Sequence, residues 1–332
     1  MDLPIAWFVL IGVLLAGYAV LDGFDLGVGI LHLIVARDGA ERAETLGSIV
    51  PVWHGNEFWL LTGGAALFAA FPLLYPQVFS AFYVALLLVL LALVIRAVSL
   101  AMRGRGASTL SRWRWDVVFA ASSTLAALVI GIAFGNVLEG IPVMPDGTDR
   151  GGLVGLLRPL PLLTAALALA MFAMQGGAWL ALKTDGALRA RSRRAGAISA
   201  VAFGGLWLAV TVASWGMPHL HDLPLVPASY AIPLLMAVAI LCAVVASARG
   251  ADGWAFVASS AAIALLSALA GLALFPDVLP STDPARGIAT QDLASADLTL
   301  RVMLVTGLIG IPLVLAYTAY VYFRFRNVRG RR

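Results

Sequence analysis

Long apolar runs separated by short polar segments constrain this chain more than any other feature. The runs are about 20 residues long, the length an α-helix needs to cross about 30 Å of hydrocarbon. In lipid every backbone N–H and C=O must be paired within the protein, so such runs are expected as helices. Composition agrees. Of the 332 residues 61% are apolar and 12% charged, against about 25% charged in a soluble domain. A mean hydropathy of +0.94 is incompatible with a water-covered surface.

The runs predict an all-α integral membrane protein. Helices are expected near 5–33, 51–72, 78–102, 115–139, 160–183, 195–216, 230–248, 254–275 and 299–323. Pro51 and Pro72 bracket the second, Gly250 and Gly253 separate the seventh from the eighth, and Phe275-Pro276 ends the eighth. Met-Asp-Leu-Pro before the first run lacks the positive charge of a secretory signal, so that run is expected as a retained helix. Basic residues set the orientation. The loops after helices one, three, five and seven, with the C-terminal tail, hold 17 Lys and Arg; the other loops hold four, Arg150, Arg158, Arg286 and Arg301. The positive-inside rule then puts the N-terminus outside and the C-terminus in the cytoplasm. One cysteine, Cys242, cannot form an internal disulfide.

A short internal repeat is visible. Asp38-Gly39-Ala40-Glu41-Arg42-Ala43 matches Asp185-Gly186-Ala187-Leu188-Arg189-Ala190, and Phe119-Ala-Ala-Ser-Ser matches Phe256-Val-Ala-Ser-Ser. The copies lie four helices apart, so they share one orientation, as parallel membrane repeats do. The expected plan is a single membrane domain. It comprises a first four-helix bundle over 1–145, a second over 155–278, and a peripheral ninth helix with a basic tail over 295–332.

Charges inside the apolar runs carry the functional information, because each costs several kcal/mol in lipid. Asp22 and Asp25 share a face of helix one by their i, i+3 spacing. Gly23, Gly27 and Gly29 beside them admit a close neighbour. His54 and Glu57 share a face of helix two in the same way. Helix three carries Arg96 and helix four opens with Asp116. With the orientation above, all six groups fall in the cytoplasmic half of the first bundle. Two readings stand beside each other: an ion-paired network that holds the helices together, and a proton-conducting cluster of titratable groups. Other polar residues suggest less. His32 at the inner end of helix one reads as solvated or capping, and Asn136 and Glu139 as solvated at the outer end of helix four. Gln175 reads as a bond across a helix interface, and the His219/His221 pair as a solvated loop pair. Only His54 is placed to ligate a haem within a span, and no axial partner is evident, so no metal site is expected in this chain.

Several stretches resemble a known family. Gly17-Tyr-Ala-Val-Leu-Asp-Gly-Phe-Asp-Leu-Gly-Val-Gly29 and the segment Pro51-Val-Trp-His-Gly-Asn-Glu-Phe-Trp59 through Pro72 are similar to the second subunit of cytochrome bd quinol oxidases. So are Arg96-Ala-Val-Ser99, Gly131-Ile-Ala-Phe-Gly-Asn-Val-Leu-Glu-Gly140, Gln175-Gly176 and Phe275-Pro276. The resemblance implies a haem-free chain in the bacterial inner membrane, paired with a haem-bearing subunit I that holds b-type and d-type haems. It implies a complex that oxidises quinol, reduces oxygen to water and builds a proton gradient without pumping. It also allows a small single-helix accessory subunit and a structural quinone or lipid in this chain. The family usually has aspartate at the position of His54, on a cytoplasmic proton route, and often an acid at that of Ala101. A secondary transporter and a purely structural scaffold subunit are the alternative readings.

Overall fold

A computed structural model describes residues 2–106, 108–140, 155–217, 220, 226–279, 288–289 and 293–324. Its helices are α1 (Leu3–Val35), α2 (Gly39–Ile49), α3 (Trp53–Ala70), α4 (Leu74–Arg105), α5 (Thr109–Glu139), α6 (Pro159–Lys183), α7 (Gly186–Ala213), α8 (Val226–Ala248), α9 (Asp252–Leu274) and α10 (Asp297–Arg324). A two-stranded antiparallel ribbon, β1 (Asp277–Leu279) with β2 (Ile288–Ala289), follows α9.

Eight of these helices are long and apolar enough to cross a membrane: α1 and α4 to α10. The other expected span, α3, has 18 residues, about 27 Å at 1.5 Å per residue. Its opening His54, Asn56 and Glu57 dilute its apolar character. The expected start at Pro51 is corrected to Trp53, because Pro51 lies in a turn between α2 and α3.

Two elements lie outside the expected spans, the ribbon and α2. The latter has no long apolar run and is built by capping instead. Asp38 accepts hydrogen bonds from the Ala40 and Glu41 amides, each at 2.9 Å, satisfying two of the free donors of the first turn. Thr45, Leu46, Ser48 and Ile49 then turn inward, and α2 lies against α1, α5 and α6.

The centre of the molecule is the contact of α1 with α6. Lipid gives apolar helices no reason to associate, so close backbone packing must supply the attraction. At Gly27 a Cβ would fall 1.8 Å from the Phe172 carbonyl oxygen, and at Gly176 one would fall 2.2 Å from the Gly27 carbonyl carbon. The two backbones touch where side chains would keep them apart. Around this contact α1 packs on α3, α5 and α9, and α6 on α5, α7 and α9. Phe172, Met174, Phe203, Met236 and Ile263 fill one continuous core. At the opposite extreme α10 is nearly all exposed. Its first turn is tied to α1 by Trp7 Nε1, which donates to the Leu300 carbonyl at 3.0 Å.

Candidate functional site

Both expected carboxylates of α1 are sealed inside the protein, Asp22 at 0% and Asp25 at 1% exposure. Glycines 23, 27 and 29 surround them, so neighbouring helices close over this turn of α1. Arg96 of α4, equally buried, reaches in from the side. Its Nη2 donates to Asp22 Oδ1 and to Glu57 Oε1, both at 2.7 Å. Glu57, in the first turns of α3, remains partly exposed. Asp25 takes a different partner. Its Oδ2 accepts from Asn56 Nδ2 at 2.8 Å, and Asn56 Oδ1 accepts from the Tyr322 hydroxyl of α10 at 2.9 Å. Several atoms of this cluster find no protein partner: Tyr18 Oη, Asp22 Oδ2, Asp25 Oδ1, and Nε and Nη1 of Arg96. Buried polar atoms of this kind are ordinarily satisfied by internal water.

Asp116 does not join this group. The expected six-residue constellation is corrected to two networks and one separate side chain. Asp116 is enclosed by Arg103, which donates to Oδ1, by Arg42 Nε, 3.1 Å from Oδ2, and by His32 Nε2, 3.1 Å from Oδ1. His32 was expected in a solvated or capping role; its side chain is fully buried instead, because α2 covers the end of α1. Its Nδ1 lies 2.7 Å from Thr45 Oγ1. The Thr45 hydroxyl proton goes to the Arg42 carbonyl, so both ring nitrogens of His32 face acceptors. His54 stands apart from both networks. It is exposed, and its ring stacks on Trp53 with centroids 3.9 Å apart.

Asn136 was also expected to be solvated, and is corrected. It is buried, donates to the Ile132 and Leu156 carbonyls at 2.8 and 2.9 Å, and accepts from Arg158 at 2.8 Å. Arg158 also pairs with Glu139 at 3.3 Å. The chain returning into α6 supplies the partners that water was expected to supply. Gln175 bonds across helices as expected, to the Val20 carbonyl and to Ser260, and accepts from Ser259. His219 and His221 lie outside the described residues, as do Arg150, Arg286 and the tail beyond Arg324.

Outside the spans, Glu41 joins the two halves of the chain. Its carboxylate accepts from the Arg37 amide at 2.6 Å and from Arg191 at 2.5 Å. Partial burial pushes this carboxyl up, but the amide and the guanidinium outweigh it and hold the group below the usual glutamate range.

The two described histidines do not fit as axial ligands of a haem. An axial ligand needs a free imidazole nitrogen facing the iron. Both nitrogens of His32 are engaged, and His54 lies at the surface against Trp53. Among the described residues no three His, Cys, Asp or Glu side chains are grouped to hold a metal ion. The arrangement is suited to holding protons: three carboxyl groups and a single guanidinium share a buried space reached past Glu57.

Asn56, Tyr322 and Thr45 were not singled out from the sequence, and His32 was not connected to the charged groups. His32 follows Asp25 by seven residues and so shares its helical face, a signal that was available.

Comparison with known proteins gives a consistent result. The family described as Cytochrome bd terminal oxidase subunit II matches residues 3–325. The chain is 36% identical to "Cytochrome bd-I ubiquinol oxidase subunit 2" of Escherichia coli (strain K12), over 96% of this chain and 93% of that one. It is 30% identical to "Cytochrome bd ubiquinol oxidase subunit 2" of Bacillus subtilis (strain 168), over 97% and 95%. Its fold matches a chain in the structure of bd oxidase from Geobacillus thermodenitrificans with a TM-score of 0.80 at 17% identity, covering 98% of this chain and 99% of that one.

Proposed function

Because this chain belongs to the cytochrome bd terminal oxidase subunit II family, we propose that it is the haem-free partner of a haem-bearing subunit I, and that it supplies a cytoplasmic proton route. In this reading nine helices span the bacterial inner membrane, as two four-helix bundles (1–145 and 155–278) and a ninth helix with a basic tail (295–332). The N-terminus lies outside and the C-terminus in the cytoplasm. Subunit I holds the b- and d-type haems, where quinol is oxidised and oxygen reduced to water. A small accessory subunit and a structural quinone or lipid complete the complex. Protons drawn from the cytoplasm, with none pumped, build the gradient.

One observation carries the proton route: the buried Asp22 and Asp25, with partly exposed Glu57, share a single guanidinium, Arg96. With every group ionised the set would hold two uncompensated negative charges in the membrane, and a charge there costs several kcal/mol. Protonation relieves that cost. The atoms without protein partners are ones that internal water would satisfy. Glu57, partly exposed, and His54, exposed beside it, stand at the open side. The proposed route therefore runs from His54 and Glu57 to Asp22 and Asp25. Asp116, held by Arg42, Arg103 and His32, is an anchoring group beside it.

The transporter reading has less support. A transporter's midplane site is built from interrupted helices, whereas α1 runs unbroken past Asp22 and Asp25 and the one non-helical residue of α4, Phe82, lies 14 residues from Arg96. The scaffold reading is favoured by Arg96, whose pairing with Asp22 and Glu57 joins three helices. Asp25→Asn separates the two. It keeps the side chain's shape and should leave assembly and the haem bands unchanged. Oxygen consumption per haem d should fall about 10-fold, a barrier increase of about 1.4 kcal/mol. Unchanged turnover per haem d would favour the scaffold.

A further inference from the structure

The most loosely held helix sends one side chain into the buried cluster. Tyr322, in the last turn of α10, sets its ring edge-on against Phe24 of α1, with centroids 6.4 Å apart, and against Trp179 of α6 at 6.1 Å. Its hydroxyl donates to Asn56 Oδ1, and Asn56 Nδ2 donates to Asp25 Oδ2. Asn56 is wholly buried. A carboxamide has one donating end and one accepting end. An ionised carboxylate can only accept, so it needs the donating end. A protonated Asp25 can donate, and can then face the accepting end of a turned amide. A turned amide would make the Tyr322 hydroxyl accept instead of donate, and because a phenol donates better than it accepts, the Tyr322 proton on Oδ1 favours the present orientation.

We propose that Tyr322 is a positioning residue that locks the Asn56 amide with its NH2 toward Asp25, so that α10 sets how readily Asp25 holds a proton. This rests on the reading of Asp25 as a proton carrier. The charged and titratable groups around Asp25 are Asp22 on α1, Glu57 on α3, Arg96 on α4 and Tyr322 itself on α10, with Tyr18 of α1 beside Asp22. The rings that α6 and α9 bring, Trp179 and Phe256, pack on Phe24, the residue before Asp25, and Lys183 lies over the Trp179 ring at 4.9 Å. A change confined to the Tyr322 hydroxyl leaves all the others in place.

Tyr322→Phe in the purified complex keeps the ring contacts and removes the proton that holds the amide. The readout is the infrared C=O band of protonated carboxyl that vanishes in Asp25→Asn, followed against pH. Its midpoint should rise by about half to one pH unit, the scale of one net hydrogen bond. The pH at which turnover per haem d declines should move the same way. In an Asn56→Ala background there is no amide to hold, so Tyr322→Phe should add nothing, whereas a purely packing role would act equally in both backgrounds. An unmoved midpoint, no Asp25 band in either protein, or an equal shift with and without Asn56 overturns the proposal. If the band shifts while Asp25→Asn turns over normally, the coupling stands and the proton-route reading fails.

Discussion

In the first half of the chain, Arg42 of the segment Asp38–Ala43 pairs with Asp116 near the start of α5. In the second half, Arg189 of the matching segment Asp185–Ala190 pairs with Asp252 at the start of α9, with Arg193 joining it at 2.8 Å. The repeat visible in sequence is thus a repeat of contacts: an arginine after one helix holds an aspartate at the head of a later one. The difference lies deeper in the membrane. At the offset of 147 residues that relates Asp38 to Asp185, Asp22, Asp25 and His32 correspond to Leu169, Phe172 and Trp179. Where the first half buries carboxylates around Arg96, the second has Gln175 with Ser259 and Ser260, a neutral set. Buried ions in lipid are expensive to keep. The second half keeps the arginine–aspartate contact without such ions, so that contact does not require the charged set.

The largest expected effect tests that contrast directly. Arg96→Leu leaves Asp22 and Glu57 with no counter-charge, and breaking a buried pair costs about 3–5 kcal/mol. The complex should fail to assemble, read as loss of the haem d band per unit of membrane protein. Asp252 is itself buried, yet Asp252→Asn in the second half should cost less than Arg96→Leu, because it leaves no buried charge unpaired. Its partners Arg189 and Arg193, 40% and 30% exposed, can turn to solvent. Equal losses from the two variants would remove the distinction between the halves.

The seam between the halves gives the next effect. Gly27→Ala drives a methyl group into the Phe172 carbonyl, and overpacking typically costs about 1–3 kcal/mol. Gly64→Ala, on α3 with open space around it, should change stability by less than about 0.5 kcal/mol. Thermal unfolding of the complex in detergent measures both. A Gly27→Ala complex as stable as the Gly64→Ala one would show that α1 and α6 do not meet as tightly as described.

The spans were legible because lipid leaves apolar runs only one backbone solution. Helix α2 was not, since its 11 residues are capped and half polar rather than apolar, and that omission hid His32. A residue at the end of a span reads as solvated unless something covers it, and Thr45 on α2 does. Asp22, Asp25, Glu57 and Arg96 were legible because charge is conspicuous in a membrane segment. Sequence spacing did not show which of them meet. Asp116 belongs to another network because α5 meets α1 at His32, seven residues and about 10 Å along the helix from Asp25. Tyr322 was out of reach: its partner Asn56 is 266 residues away, and nothing local marks either.

A smaller effect concerns the Glu41–Arg191 strut between the halves. Because this carboxyl is held low when folded, its contribution is present above the ordinary glutamate value of about 4.3. It fades as pH falls through the depressed folded value. Glu41→Gln should remove that part of the acid dependence, so wild type and variant should converge in melting temperature below about pH 4. A gap that stays constant from neutral to acid pH would show that the strut acts through shape alone.

His54 gives the smallest expected effect on stability and the sharpest test of what the first half is for. It is exposed, and its contact is the stacked ring of Trp53. Surface substitutions usually change stability by less than about 0.5 kcal/mol, so His54→Ala should assemble with normal haem bands. The chain's neighbour Glu57 pairs with Arg96 and remains the other group at the open side of the cluster. If protons reach Asp22 and Asp25 past these two, His54→Ala should slow turnover per haem d by a smaller factor than Asp25→Asn. The loss should grow in the double variant with Glu57→Gln. Histidine and aspartate can each carry a proton, so His54→Asp should restore most of the rate. If His54→Ala turns over normally and Glu57→Gln does too, uptake does not pass this face of α3. The buried charges of the first half would then serve only to bind its helices together.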